Sequence, residues 1–353
     1  MRILYLYPGP IAPELDKVRM GESPGDRLYG LRELRAYGHQ VDVADSRFEG
    51  RTGRVIRRLR SRGVYLSDFA TFERIRHYDV VVVKDNFSTA LSLAARALGA
   101  KLVYVDAMFQ LPRRSWKHGL NRVNLSLARG LVAYSRTQIA QWAHRYDVPI
   151  ERFTFLPYTI DTHFYTPVPA PIVERPYVLS VGRDMGRNFG TLVDAMDGLG
   201  LDLRLVTLPH LLGGIPRDLP WIDVRQRVSY AELFELYAGA QLAVVPLKGG
   251  LTYPSGVRGL LEAMALGCPA ISTRTAVLEE YAAEGDGVAY VEPDDVAGMR
   301  EAIRRLSGDP DARAAMAGRG LELVRQRYHM DVFARGLEQL LIGVANGRPA
   351  AAR

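Results

Sequence analysis

The chain has a single cysteine, Cys268. One thiol excludes an internal disulfide and a cysteine-rich metal site, and it makes the reducing cytoplasm the natural compartment. Cys268 itself reads as a small packing residue. Long apolar runs are missing as well: no stretch of about 18 apolar residues occurs, so no membrane-spanning helix is expected. The opening Met1-Arg2-Ile3-Leu4-Tyr5-Leu6-Tyr7 is too short for the core of a signal peptide and reads as a first buried strand. Lysine is scarce, with five of the 46 basic residues, the rest being arginine. No Gly-x-Gly-x-x-Gly follows a strand, which disfavours a dehydrogenase, and no Gly-Lys-Ser/Thr occurs, which excludes a P-loop enzyme. The net charge of +7 comes without a helix-turn-helix, an aromatic RNA-binding strand or zinc-finger spacing. Nucleic acid is therefore not an expected partner.

What is present is globular: 48% hydrophobic and 24% charged residues in a chain of 353, long for one core and suited to two domains. In the first half, apolar strands at 3–7, 40–44, 80–83, 101–105, 130–134 and 153–156 alternate with helical patterns at 26–37, 89–98, 120–127 and 136–146. The second half repeats the logic, with strands at 177–181, 202–207, 222–225, 242–245, 270–273 and 288–291. Strands separated by helices imply parallel sheets with crossovers. The architecture expected is α/β, two Rossmann-like domains facing a cleft, with ligands at the carboxyl ends of strands. Pro167, Pro169 and Pro171 mark a stiff linker. The division is an N-terminal domain 1–164, a linker 165–175, a C-terminal domain 176–325, and a last helix in 326–353 packing back toward the N-terminal domain.

The richest stretch is Pro254-Ser255-Gly256-Val257-Arg258-Gly259-Leu260-Leu261-Glu262-Ala263-Met264-Ala265-Leu266-Gly267-Cys268-Pro269. It reads as a tight Ser-Gly turn, a short helix and a Gly-x-Pro stop. A helix opening at Ser255-Gly256-Val257 offers free amides to an anion. Glu262, six residues after Gly256, lies about 9 Å further along the axis, roughly the span from a diphosphate to a ribose. An ordinary amphipathic helix with a surface glutamate is the plainer reading of the same residues. The block from Leu261 to Gly267, with Pro269, resembles the C-terminal signature of GT-B glycosyltransferases of the retaining group 4. The first glutamate of that signature would fall at Pro254, so it is absent here.

The resemblance implies a hexosyltransferase-type enzyme that moves a sugar from a nucleotide diphosphate, UDP- or GDP-linked, to a hydroxyl acceptor. It implies no cofactor beyond that co-substrate. Arg183 and Arg187, after the strand 177–181, can grip the diphosphate, and Arg187 takes the place of a family lysine. The amides after Ser255, with Gly256 and Val257, complete the cradle, and Glu262 is the ribose contact. Fixed cations and amides stabilise the leaving diphosphate without a metal, and no Asp-x-Asp lies near a strand of the sugar-donor half. Gly249 and Gly250 form a loop able to wrap the sugar, and Gly25 stands where the family places a close-approach glycine. Asp106, at a strand's carboxyl end, is the candidate for positioning or deprotonating the acceptor; a capping role is the alternative. Gly38-His39-Gln40-Val41 matches a family pattern in which His39 is structural. Arg51 to Arg62 carries six arginines and no acid, and Arg113 to Lys117 adds a second basic patch. Both suit peripheral docking on an anionic inner-membrane face, or a plain solvated surface. A non-catalytic nucleotide-sugar-binding relative, or a sugar-nucleotide epimerase of the same fold, is the other reading. Acceptor, sugar and stereochemistry stay open.

Overall fold

A computed structural model describes residues 1–45, 72–84, 89–107, 116–215 and 219–347. The arginine run 51–62 and residues 113–115 lie outside the described residues, as do the side chains of Trp116 and Lys117. The chain divides into two compact units: Met1–Gly21 with Gly25–Pro157 and Asp331–Arg353, and Glu22–Pro24 with Tyr158–Met330.

Unit 1 is built on β1 (Arg2–Tyr7), β2 (Gln40–Asp45), β3 (Val80–Lys84), β4 (Leu102–Val105), β5 (Gly130–Ala133) and β6 (Phe153–Phe155). All pair in parallel, in the order β2-β1-β3-β4-β5-β6. Side chains alternate between faces with the period of two that strands impose. Leu4, Leu6, Val81, Val83, Leu102 and Tyr104 join a core with Leu91, Leu125 and Trp142 of the crossover helices. The opposite face receives the last helix, Met330–Ala345. Tyr134 packs on Phe333 with ring centroids 6.3 Å apart, and Leu340 lies against Gly130. His39 meets Glu338 Oε1 at 2.7 Å, and Tyr37 donates to Asp331 at 2.7 Å.

Unit 2 carries β7 (Tyr177–Val181), β8 (Asp202–Val206), β9 (Ile222–Arg225), β10 (Leu242–Val245), β11 (Ala270–Thr273) and β12 (Val288–Val291). They too are parallel, ordered β12-β11-β10-β7-β8-β9. One face packs on the helices Tyr230–Gly239 and Val257–Ala265. The other packs on Phe189–Met196 and Val296–Ser307. The proline stretch after Tyr165 has no regular structure, whereas Tyr165 itself is a core residue of unit 2.

One expectation is corrected and one element was not foreseen. The helix expected over 26–37 is broken: Gly25–Leu28 is a 3-10 turn, and only Leu31–Ala36 is helical. Tyr29 and Gly30 between them have left-handed φ of 53° and 78°, a backbone that an α-helix cannot continue through. A helix at Ala12–Arg19 was not anticipated; it begins with proline in its first turn, where the missing amide costs nothing.

Cys268 is buried in the unit 2 core, and burial pushes its thiol up to about 12. The thiolate is the reactive form. Native protein at pH 8 is therefore expected to resist maleimide and to be labelled only after unfolding, as read by intact mass. Rapid labelling of the folded chain would contradict this burial.

Candidate functional site

In unit 2 the chain order changes direction between β7 and β10, and at such a switch point the connections diverge and leave a crevice at the carboxyl ends of the strands. The exit loop of β7, residues 182–187, lies there beside the loop that follows β10. Lys248 N donates to Gly186 O at 2.9 Å and Lys248 Nζ to Met185 O at 3.0 Å. Arg187 and Leu247 form an isolated antiparallel bridge. The loop backbone is thereby stitched in place.

Arg187 is the central side chain. It is only 4% exposed, which is unusual for a guanidinium. Its path is opened by two glycines. A Cβ on Gly182 would collide with the Arg187 side chain, and one on Gly259 would stand 3.2 Å from Arg187 Nη2. The guanidinium thus lies against the first turn of the helix Val257–Ala265. Its Nε donates to Asp184 Oδ2 at 3.0 Å. Its Nη1 is buried and, among the described residues, has no hydrogen-bond partner. Leaving a buried charged donor unsatisfied is costly, so this atom calls for an acceptor from outside.

The helix itself opens on Gly256, with φ of 81°, and no side chain caps it. Only glycine suits this position: a Cβ would also stand 2.9 Å from Val245 and 3.0 Å from Leu247. Its uncapped first turn carries the positive end of the helix dipole. Ser255 is buried, and its hydroxyl donates to Asp184 Oδ1. Gly186 N donates to the same oxygen at 3.0 Å. Arg183 is exposed. Gly249 and Gly250 lie exposed in the loop after β10, Gly250 with φ of 68°.

Glu262 is buried two turns along the helix, 6% exposed. It accepts from Arg258 Nε at 2.8 Å and from Tyr165 Oη at 3.2 Å. Arg258 also donates to Tyr158 at 2.7 Å and to Tyr165 at 2.8 Å. Both bonds to Glu262 go to its Oε1, which they hold in place. The spacing of Arg258 and Glu262, four apart on a helix, is the sequence signal for that pair. Tyr165 and Asp184 have no such signal, because they reach their partners across the fold.

Asp106 and Gly25 belong to unit 1. Asp106 follows β4, and its φ of 59° is left-handed. Tyr29 Oη donates to its Oδ2 at 2.5 Å, and Lys84, at the end of β3, places Nζ 3.9 Å from the same oxygen. Tyr29 has φ of 53°, so two non-glycine residues in the left-handed region are joined to each other. Gly25 is buried in the 3-10 turn Gly25–Leu28. The structure thus gathers Arg187, Ser255, Gly256 and Val257 at one place, with Glu262 on the same helix, and sets Asp106 with Tyr29 and Lys84. Among the described residues, no group of three or more His, Cys, Asp or Glu is arranged to hold a metal ion, and no helix is long and apolar enough to cross a membrane.

Residues 191–339 match the family model described as glycosyl transferase-like. No curated protein matches the sequence of the chain. Among solved structures, a glycosyltransferase from Rickettsia africae superposes with a TM-score of 0.71 at 13% identity, over 97% of this chain and 98% of that one. Sucrose-phosphate synthase from Thermosynechococcus elongatus gives 0.71 at 17% identity, over 98% and 100%. Anabaena HepE in complex with UDP-glucose gives 0.72 at 15% identity, over 97% and 100%. With its two six-stranded parallel sheets the chain has the GT-B fold, and its residues 191–339 are similar to a glycosyl transferase-like domain.

Proposed function

We propose that the chain transfers a sugar from a nucleotide diphosphate to a hydroxyl acceptor. The observation that carries this reading is the buried Arg187, with an unpartnered Nη1 beside the uncapped turn at Gly256. A diphosphate supplies the oxygens that both lack. As the bond between sugar and phosphate breaks, negative charge grows on the leaving diphosphate. Arg187, the amides of Gly256 and Val257, and the exposed Arg183 stabilise it where they already stand, so little reorganisation is needed and no metal is required. Glu262, oriented by Arg258 and Tyr165, takes the ribose hydroxyls. In unit 1, Asp106 accepts the proton of the attacking hydroxyl, and Tyr29 and Lys84 hold its carboxylate in place. The complexes of HepE with UDP and with UDP-glucose support a sugar nucleotide as the ligand class.

The test is thermal unfolding against UDP, GDP, ADP and dTDP, with Arg183→Ala as control. A ligand at a hundred times its dissociation constant adds about 2.7 kcal/mol. Stabilisation by one nucleotide, reduced in the variant, is the expected result, and release of free nucleotide from its sugar conjugate separates an enzyme from a binding-only relative. If none of the four nucleotides stabilises the protein, the reading fails.

A further inference from the structure

We propose that Asp184 is a built-in competitor for this cradle: its carboxylate takes the hydrogen-bond donors that a diphosphate would take, and the nucleotide binds by displacing it. The inference rests on the proposed function and concerns the same site. Three donors converge on the Asp184 carboxylate: Gly186 N at 3.0 Å, the Ser255 hydroxyl, and Arg187 Nε at 3.0 Å. An amide, a hydroxyl and a guanidinium are also the set that grips a phosphate oxygen.

The partners differ in their freedom to leave. The Arg187 side chain is 4% exposed and Ser255 is 4% exposed, whereas the Asp184 side chain is 37% exposed. The carboxylate can turn into water and be hydrated there; the donors cannot follow. The loop does not depend on it either, because its backbone is held by Lys248 N on Gly186 O and by the bridge between Arg187 and Leu247. Once the carboxylate has swung out, the buried donors lack an acceptor, and an incoming anion supplies it. Arg187 Nη1, unpartnered even with Asp184 in place, is where a second phosphate group adds contacts that a carboxylate does not make. Asp184 thereby sets a threshold. A diphosphate brings enough oxygens and charge to displace it, and a monophosphate competes poorly.

The experiment is calorimetric titration of UDP, UMP and inorganic pyrophosphate into the full chain and into Asp184→Asn and Asp184→Ser, each checked for native unfolding. A seat filled by its own carboxylate nine-tenths of the time weakens apparent affinity about tenfold. Both variants are therefore expected to bind pyrophosphate and UDP about tenfold more tightly, and to discriminate less between UDP and UMP. Unchanged or weaker pyrophosphate binding in both would overturn the proposal and make Asp184 a support for Arg187. Pyrophosphate separates the two readings: if it binds and UDP does not, the nucleotide assignment falls and Asp184 is judged on pyrophosphate alone. If wild-type protein and both variants ignore pyrophosphate, there is no cradle and both readings fall.

Discussion

Arg187→Met is expected to leave the protein folded and to remove its response to nucleotide. The two effects separate because the guanidinium is almost wholly buried beside a partly exposed carboxylate. Methionine has a similar reach and no charge to desolvate. Removing one partner of a buried ion pair is destabilising because it leaves the other charge buried and uncompensated. Asp184 keeps Gly186 N and Ser255 as partners and faces water, so it is not stranded. The site, by contrast, loses its central cation. Removing a preorganised donor to a developing oxyanion costs on the order of a hundred- to a thousand-fold in turnover. Urea unfolding and titration with the stabilising nucleotide measure both quantities on one sample. Wild-type affinity in the variant would refute the central place given to Arg187.

The second large effect concerns Gly182. Its φ is not left-handed, so alanine is permitted by the backbone, and only the space beside it forbids one. The new methyl would fall on the Arg187 side chain. Forcing extra volume into such a contact costs about 1–3 kcal/mol, and the guanidinium must leave its seat. Gly182→Ala should therefore lose both stability and nucleotide binding. Combining it with Arg187→Ala removes the collision. In that background Gly182→Ala should cost little stability, a coupling of about 1 kcal/mol or more, while nucleotide binding stays absent. An equal cost in both backgrounds would mean that the glycine serves some other contact.

The strands of both sheets were readable because parallel strands buried on two faces are apolar runs bounded by turns. The turn at Ser255-Gly256 was readable for a related reason: a left-handed, crowded backbone position admits only glycine, and the sequence shows it. Elsewhere local pattern misled. The periodicity of 26–37 continues across Tyr29 and Gly30, although the backbone there turns left-handed, and Gly30 was the one residue that hinted at it. Asp184 was passed over between two arginines because its partners Ser255 and Arg187 are brought together by the parallel pairing of β7 with β10, not by spacing. For the same reason Tyr29 and Lys84, far from Asp106 in sequence, could not be joined to it beforehand. Glu262 was identified, but its partner Tyr165 lies in a stretch that reads as linker.

Unit 1 is assembled from distant parts of the chain, Met1–Gly21 with Gly25–Pro157, and Asp331–Arg353. The helix Met330–Ala345 covers Gly130 and Tyr134, and Gly336 abuts Leu156. On a ribosome these covering residues emerge long after the sheet that they cover. At about 5–20 residues per second, roughly ten to forty seconds separate the synthesis of β6 from that of its covering helix. During that interval unit 2, nearly continuous in sequence, can complete its own sheet, while one apolar face of the first sheet waits uncovered. The order of synthesis therefore favours the second unit as the first to mature, and it makes the nascent first sheet the natural client of a chaperone.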